Sequence, residues 1–427
     1  MPVGLYLSVP FCRTKCSYCN FASDVFSKSA YENYVVRLVE DIAHARQIAA
    51  ELGCAFEETA DSVYLGGGTP SILDSAQLLR IFAVLGSHFA VSPDAEITVE
   101  CAPGTVTPAL IETLLQCGVN RVSLGVQSFV DQEARSVGRL HKRSTVLEEI
   151  GRLRAAGLWN LNIDLIAGLP YQTAESWAFS VSETVATGVP HASVYMLEVD
   201  DDSRLGREVI AGGARYHAHF VPDDEATADF YQQACETLAA AGIAQYEISN
   251  FARSRPLPCD EQSHGNGSRH NLKYWTGQPY LGFGVDAHSM LVADLGNDCD
   301  ERARRAAHPG RAIRFRTPDS LDAYMNRAPH AVTPVSTLAA IEESFFLGLR
   351  LNRGIDLERL RTEYKAEFNR ETVAVWESAI RESVQEGLLE QLGGSLRLTA
   401  RGRLLSNEVF ARFLIQEAEQ AKWEPAR

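Results

Sequence analysis

The feature that most constrains this chain is a rhythm running through its first 200 residues, where short runs rich in Val, Ile and Leu alternate with amphipathic helical stretches. The strand-like runs are Leu5–Val9, Ser62–Leu65, Glu96–Glu100, Arg121–Val126, Leu161–Ile166 and Ser193–Glu198. Helical periodicity covers Ser29–Leu52, Ser75–Phe89, Thr107–Cys117, Ser144–Ala156 and Ala174–Thr187. Alternation of this kind builds parallel βαβ units. Polar residues or glycines sit at nearly every strand end: cysteines after the first, Gly66-Gly67-Gly68 after the second, then Glu100, Gln127, Asp164 and Glu198. An open doubly wound sheet focuses its chemistry on one switch point, whereas a barrel gathers all its C-terminal strand ends on one face. Contributions from all six strands predict a curved α/β sheet, a complete or partial barrel over 1–200.

After residue 200 the pattern changes. A helix over Asp224–Ala241 and a strand over Gln245–Asn250 are predicted. An irregular stretch follows, Ala252–Ser268, and then an aromatic-rich segment, Arg269–Met290. Residues 291–316 read as charged loop. From about Val335 the chain is mostly helical, with a turn at Gly393-Gly394 between two short strand-like runs and a last helix. The reading is an additional α+β segment over 201–330 and a C-terminal winged-helix-like helical domain over 331–427.

Cys12, Cys16 and Cys19 form a CxxxCxxC run directly after the first strand. Thiolates are soft ligands that select zinc, Cu(I) or iron–sulfur clusters. A structural zinc site usually has four protein ligands, and no close fourth Cys or His stands nearby. Three thiolates can instead take three corners of a [4Fe–4S] cubane. The fourth iron then stays open to the amino and carboxylate groups of S-adenosylmethionine (SAM). An electron from such a cluster cleaves the carbon–sulfur bond of SAM and yields a 5′-deoxyadenosyl radical. The other six cysteines, Cys259 and Cys299 among them, are scattered and read as ordinary small residues.

Leu65-Gly66-Gly67-Gly68-Thr69-Pro70 follows the second strand. Glycines permit close backbone approach, so this turn can offer carbonyls to the SAM ammonium; alone it would read as a tight turn before a helix. Glu100, Gln127, Arg139 and Asp164 ring the same mouth. A carboxylate there suits ribose hydroxyls and an arginine suits the SAM carboxylate, though each also reads as a cap, salt bridge or barrel polar layer.

Leu5–Cys12, the cysteine run, Tyr64–Ser71 and Ser123–Phe129 together resemble the oxygen-independent coproporphyrinogen III oxidase family of radical SAM proteins, nearly end to end. The resemblance implies a partial (β/α)6 barrel with a C-terminal helical domain. It places Tyr6, Tyr18, Gly67, Gly68, Thr69, Glu100, Gln127, Arg139 and Asp164 in the SAM pocket. The true oxidases resemble CxxxCxxCxC; here the further cysteine is replaced by Phe21. The run His270-Asn271-Leu272-Lys273-Tyr274-Trp275 (HNxxYW) looks like the branch of heme chaperones, which bind heme and deliver it to respiratory enzymes. This implies three cofactors or ligands ([4Fe–4S], SAM and heme), a flavodoxin- or ferredoxin-type reductant, and a recipient heme protein, most naturally a membrane respiratory enzyme. The alternative is decarboxylation of coproporphyrinogen III.

In the stretch from Arg269 to Trp275, Arg269 and Lys273 are cations for heme propionates, Tyr274 and Trp275 are walls and His270 is the candidate iron ligand. A helix would put His270, Lys273 and Tyr274 on one face. His270 also reads as a satisfied structural histidine, with Tyr274 and Trp275 packing a second domain onto the barrel; His288 and Cys259 are the next candidate ligands. His264, His217 and His219 read as loop residues. The net charge of −15 argues against a nucleic-acid partner. No run approaches ~20 apolar residues, and the N-terminus lacks signal-peptide features, so a cytoplasmic protein without a membrane span is expected.

Overall fold

The computed structural model describes residues 1–254, 265–294, 312–364 and 370–415; Cys259, Cys299 and His264 lie outside the described residues. Six parallel strands, β1 (Val3–Val9), β2 (Thr59–Gly67), β3 (Ala90–Cys101), β4 (Arg121–Gln127), β5 (Asn160–Ala167) and β6 (His191–Met196), pair in chain order. Helices lie between them, among them Ser75–His88 and Ala174–Thr187, each started by a capping box, at Asp74 and Thr173. The predicted helix Ser29–Leu52 is instead two, Lys28–Ala43 and Ala45–Glu51, meeting at His44. There the ring shares a hydrogen bond with the Glu40 carbonyl, which competes with helix continuation.

The sheet extends past both ends of this set. On the β1 side come β9 (Tyr280–Gly284), parallel to β1, then β10 (His288–Val292), β11 (Ala312–Arg316) and β12 (Ala331–Val335). On the β6 side come β8 (Asn250–Arg253) and β7 (Ile243–Gln245), giving twelve strands in all. The predicted strand Gln245–Asn250 is a turn between β7 and β8. The Glu247 carboxylate accepts from the Ser249 and Asn250 backbone and side-chain groups, so local bonds replace ladder bonds. Part of the predicted loop 291–316 is strand, because Ile313 and Phe315 alternate with Arg314 and Arg316 on β11; the guanidinium of Arg314 is held by Glu343 at 2.7 Å. Glu198 lies two residues beyond β6.

The sheet is curved, and its electrostatics show it. Tyr64 on β2 feels Asp164 on β5 and Tyr195 on β6. In a flat sheet at ~4.8 Å per strand, β2 and β6 would be roughly 19 Å apart. β1 and β6 are not paired with each other, so the barrel is partial. Aliphatic side chains such as Leu5, Leu65, Val99, Leu124 and Ile163 are fully buried in one large core. The alternate positions carry polar groups that bond across the interior. Asn162 Nδ2 donates to Ser123 and Ser193, and His191 bonds both Asn162 and Tyr246.

The C-terminal part has its own core, including Phe345, Trp376, Leu396 and Phe413. It holds helices Thr337–Leu349 and Arg370–Gln385 and a three-stranded sheet ordered β13 (Ile355–Asp356), β15 (Ser395–Leu398), β14 (Leu389–Leu392). β14 and β15 form the predicted hairpin about Gly393-Gly394. Arg350 fastens this part to the rest: it pairs with buried Glu247 and lies over the Trp275 ring, 4.2 Å from its centre.

Candidate cluster and cofactor site

The cysteine run leaves β1 as a loop sewn to its surroundings through the backbone. Cys12 N–H donates to the Asp24 carbonyl, Ser17 N–H to that of Val137 and Leu205 N–H to that of Ser17. Thr14 Oγ1 bonds the Gly138 carbonyl and Arg204 bonds that of Lys15. These ties shape the loop without using any thiol as a strut. Among the described residues, the hydroxyl that reaches a sulfur of this loop is that of Thr69, whose Oγ1 donates to Cys12 Sγ at 3.7 Å. Burial above all, with Cys16 and Cys12 adding, pushes the Cys19 thiol up, so metal ligation there displaces a proton. Among the described residues no three His, Cys, Asp or Glu side chains are grouped to hold a single metal ion; a cubane instead offers each thiolate its own iron. The donor set, three soft ligands on one preformed loop, fits a [4Fe–4S] cluster with one open corner.

The glycine turn sits beside that loop. Gly68 N–H donates to the Val9 carbonyl and Thr69 N–H to that of Phe11. A Cβ on Gly68 would stand 2.7 Å from the Phe11 carbonyl oxygen, so only glycine fits, and Gly67 adopts φ +97°. A Cβ on Gly66 would meet the Glu100 carboxylate at 2.9 Å. Glu100 accepts from the Tyr64 hydroxyl at 2.8 Å. Its carboxyl is pushed up to about 7, first by burial and then by Asp164. Asp164 accepts from Ser123 at 3.0 Å and Asn162 at 2.7 Å. Arg139 donates to the Tyr18 hydroxyl at 3.2 Å and keeps a buried Nε without a partner. Gln127 ends β4 with φ +67°. Two half-buried carboxylates and a guanidinium with spare donors suit a ligand that carries hydroxyls, an ammonium and a carboxylate, as SAM does.

The HNxxYW run is a helix, Arg269–Trp275, capped by Ser268. It packs against the strand ends opposite the cysteine loop. Gly4 makes room for it, since a Cβ there would meet Lys273 at 2.7 Å and His270 at 3.2 Å. His270 is 1% exposed. Its Nδ1 shares a hydrogen bond with Ser62 Oγ at 3.0 Å and its Nε2 one with the Tyr274 hydroxyl at 2.8 Å. Lys273 pairs with Asp61 at 2.7 Å and donates to the Pro2 carbonyl, Arg269 pairs with Asp94, and Trp275 lies under Arg350. As folded, both nitrogens of His270 are taken; iron ligation by it would require one of these bonds to break. His288 is exposed, at the start of β10.

A cavity of about 390 Å³ joins these regions, lined by Tyr6, Phe21, Gly67, Gly68, Tyr274, Tyr280, Asp286 and His288, among others. Phe21, 64% exposed, thus presents an apolar wall beside the cysteine loop. Sequence reasoning missed Arg121, buried among Glu96, Tyr64 and Asp164, and missed the cavity role of Tyr280. The alternation of polar residues along β2 to β6 was the available signal for the buried network.

The radical SAM superfamily model matches residues 6–181, and the HemN C-terminal domain model matches residues 335–405. The chain is 30% identical over 421 residues to "Heme chaperone HemW" of Lactococcus lactis, covering 97% of this chain and 98% of that one. It is 30% identical over 410 residues to "Heme chaperone HemW" of Bacillus subtilis, covering 96% and 98%. In fold it is similar to the coproporphyrinogen III oxidase HemN of Escherichia coli, with TM-score 0.77 and 22% identity over 96% of this chain and 90% of that one. Membership of the radical SAM superfamily implies a [4Fe–4S] cluster and SAM. With cysteine loop, glycine turn and near full-length likeness in agreement, the chain belongs to the heme-chaperone family of radical SAM proteins.

Proposed function

We propose that this protein binds heme and transfers it to a recipient heme protein. The observation that carries this reading is the cavity beside the cysteine loop, walled by Tyr6, Phe21, Tyr274 and Tyr280. Its ~390 Å³ falls in the usual range for ligand pockets, roughly 300–1,000 Å³, and its aromatic walls suit a flat porphyrin. Phe21 stands where the oxidases resemble having a further cysteine, which favours binding over porphyrinogen chemistry.

In this reading Cys12, Cys16 and Cys19 hold the cluster, which when bound supplies the electron that cleaves SAM. Tyr6, Tyr18, Gly67, Gly68, Thr69, Glu100, Gln127, Arg139 and Asp164 hold SAM. Arg139 takes its carboxylate, Glu100 and Asp164 its hydroxyls, and the Gly67 and Gly68 backbone its ammonium. Residues 1–200 form the barrel, 201–330 the family-specific extension and 331–427 the C-terminal domain. The reductant is of flavodoxin or ferredoxin type, and the recipient is a membrane respiratory enzyme reached from the cytoplasm; among the described residues no helix is long and apolar enough to cross a membrane.

One anaerobic experiment tests the reading. The reconstituted protein is incubated with SAM and dithionite and then either with coproporphyrinogen III or, heme-loaded, with an apo-cytochrome. Heme transfer without protoporphyrinogen formation is expected. Turnover of coproporphyrinogen III without heme transfer overturns it in favour of the oxidase, whose fold it shares.

A further inference from the structure

We propose that Tyr274, not His270, ligates the heme iron, as a phenolate whose oxygen accepts a hydrogen bond from His270 Nε2; this rests on the heme-binding reading above. Tyr274 and His270 share one helix face at i, i+4, and only Tyr274 of the two lines the cavity. His270 lies behind it, 1% exposed. Iron entering the cavity therefore meets the phenol before the imidazole.

The pair behind the phenol is set for the role. His270 stands between two hydroxyls, one at each ring nitrogen, the arrangement of a neutral imidazole with one N–H and one acceptor nitrogen. Ser62 Oγ stands 3.0 Å from Nδ1. With the serine hydroxyl donating to Nδ1, the ring proton sits on Nε2 and points at Tyr274 Oη, 2.8 Å away. The phenol's own proton is then free to face the cavity. This is a second-shell arrangement of the kind that fixes a metal ligand and stabilises its anion. Ser62 is itself fully buried on β2, so the relay is anchored in the sheet.

The ligation step balances without redox change. Ferric heme carrying an axial hydroxide enters; the Tyr274 O–H bond breaks and an Fe–O bond forms. The hydroxide takes the phenol proton and departs as water, and the iron stays ferric. The phenolate cancels the net positive charge of the ferric porphyrin core. Phenolate is a known axial ligand of heme iron. Being anionic, it favours ferric over ferrous iron, so chemical reduction should loosen the heme.

The experiment is a ferric-heme titration of the full chain, followed by absorbance and EPR. Wild type should show high-spin ferric heme with a phenolate-to-iron charge-transfer band. Tyr274→Phe should lose that band. Tyr274→His should restore binding with an imidazole-type spectrum, which separates loss of a ligand from loss of the fold. His270→Gln should keep the band but weaken affinity by about 10- to 100-fold. A band that survives in Tyr274→Phe, or an imidazole-type wild-type spectrum abolished by His288→Ala or His270→Ala, overturns the assignment while leaving heme binding intact. Absence of any heme binding by wild type would instead overturn the heme-chaperone reading and this assignment with it.

Discussion

The cysteine loop and the Arg269–Trp275 helix are both short segments dense in potential ligands, and the fold treats them oppositely. The loop is held by backbone bonds with Val137, Asp24 and Leu205, and its thiols contribute little, Cys12 Sγ accepting one long bond from Thr69 at 3.7 Å. The helix commits its polar side chains to partners: His270 to Ser62 and Tyr274, Lys273 to Asp61, Arg269 to Asp94. Ligand-type residues signal a site only where the surrounding structure leaves them unsatisfied. Where they satisfy one another they serve as structure, and the ligand proposed above is the group at the edge of the network, Tyr274.

The contrast predicts opposite behaviour on mutation. The largest effect is expected in Cys12→Ala/Cys16→Ala/Cys19→Ala. This variant should lose all reconstituted iron and sulfide, while its urea midpoint reports only a small change, about 1 kcal/mol or less per cysteine. A triple variant that kept a full cluster, by iron analysis and EPR, would break the comparison on the loop side. His270→Ala should do the reverse: cluster content unchanged, but about 2–4 kcal/mol of stability lost. The substitution leaves Ser62 and Tyr274 without their partner and opens a buried space. Near wild-type stability by urea unfolding would mean that the helix is not the strut described.

The smallest effect concerns Glu100, which lies against the glycine turn at Gly66 and bonds Tyr64, whose ring faces His270. In the folded apo-protein its carboxyl is pushed up to about 7 from an ordinary 4.5. Between those values the native chain binds a proton that the unfolded chain has lost, so this group makes stability rise as pH falls from about 7 toward 4.5. The contribution is roughly 1–3 kcal/mol. Glu100→Gln should flatten that part of the stability–pH profile, measured as the urea midpoint at several pH values. A profile of unchanged slope would show that Asp164, not Glu100, carries the shared proton.

Much of the barrel is legible from the chain because its signals are local. Aliphatic runs separated by amphipathic helices mark β1, β2, β4, β5 and β6 to within about three residues, though β3 begins six residues before its predicted start, at Ala90, and capping residues such as Asp74 and Thr173 mark helix starts. What failed was decided at a distance. Residues 245–250 look like a strand, yet the Glu247 carboxylate is turned inward to Asn250 and Arg350, a partner 103 positions away. Arg314 and Arg316 look like loop charges until β10 and Glu343 arrive beside them.

By itself the sequence determined which thiols stand together, because three within eight residues share one loop whatever else folds. It likewise determined the glycine turn, where only a residue without a Cβ can pass the Phe11 carbonyl. Tertiary structure alone decided how the side chains of HNxxYW are bonded. Whether an imidazole is a ligand or a strut depends on what occupies its two nitrogens. Ser62 lies 208 positions from His270 and reaches it only because β2 crosses the barrel beside Gly4, so no local pattern could carry that information.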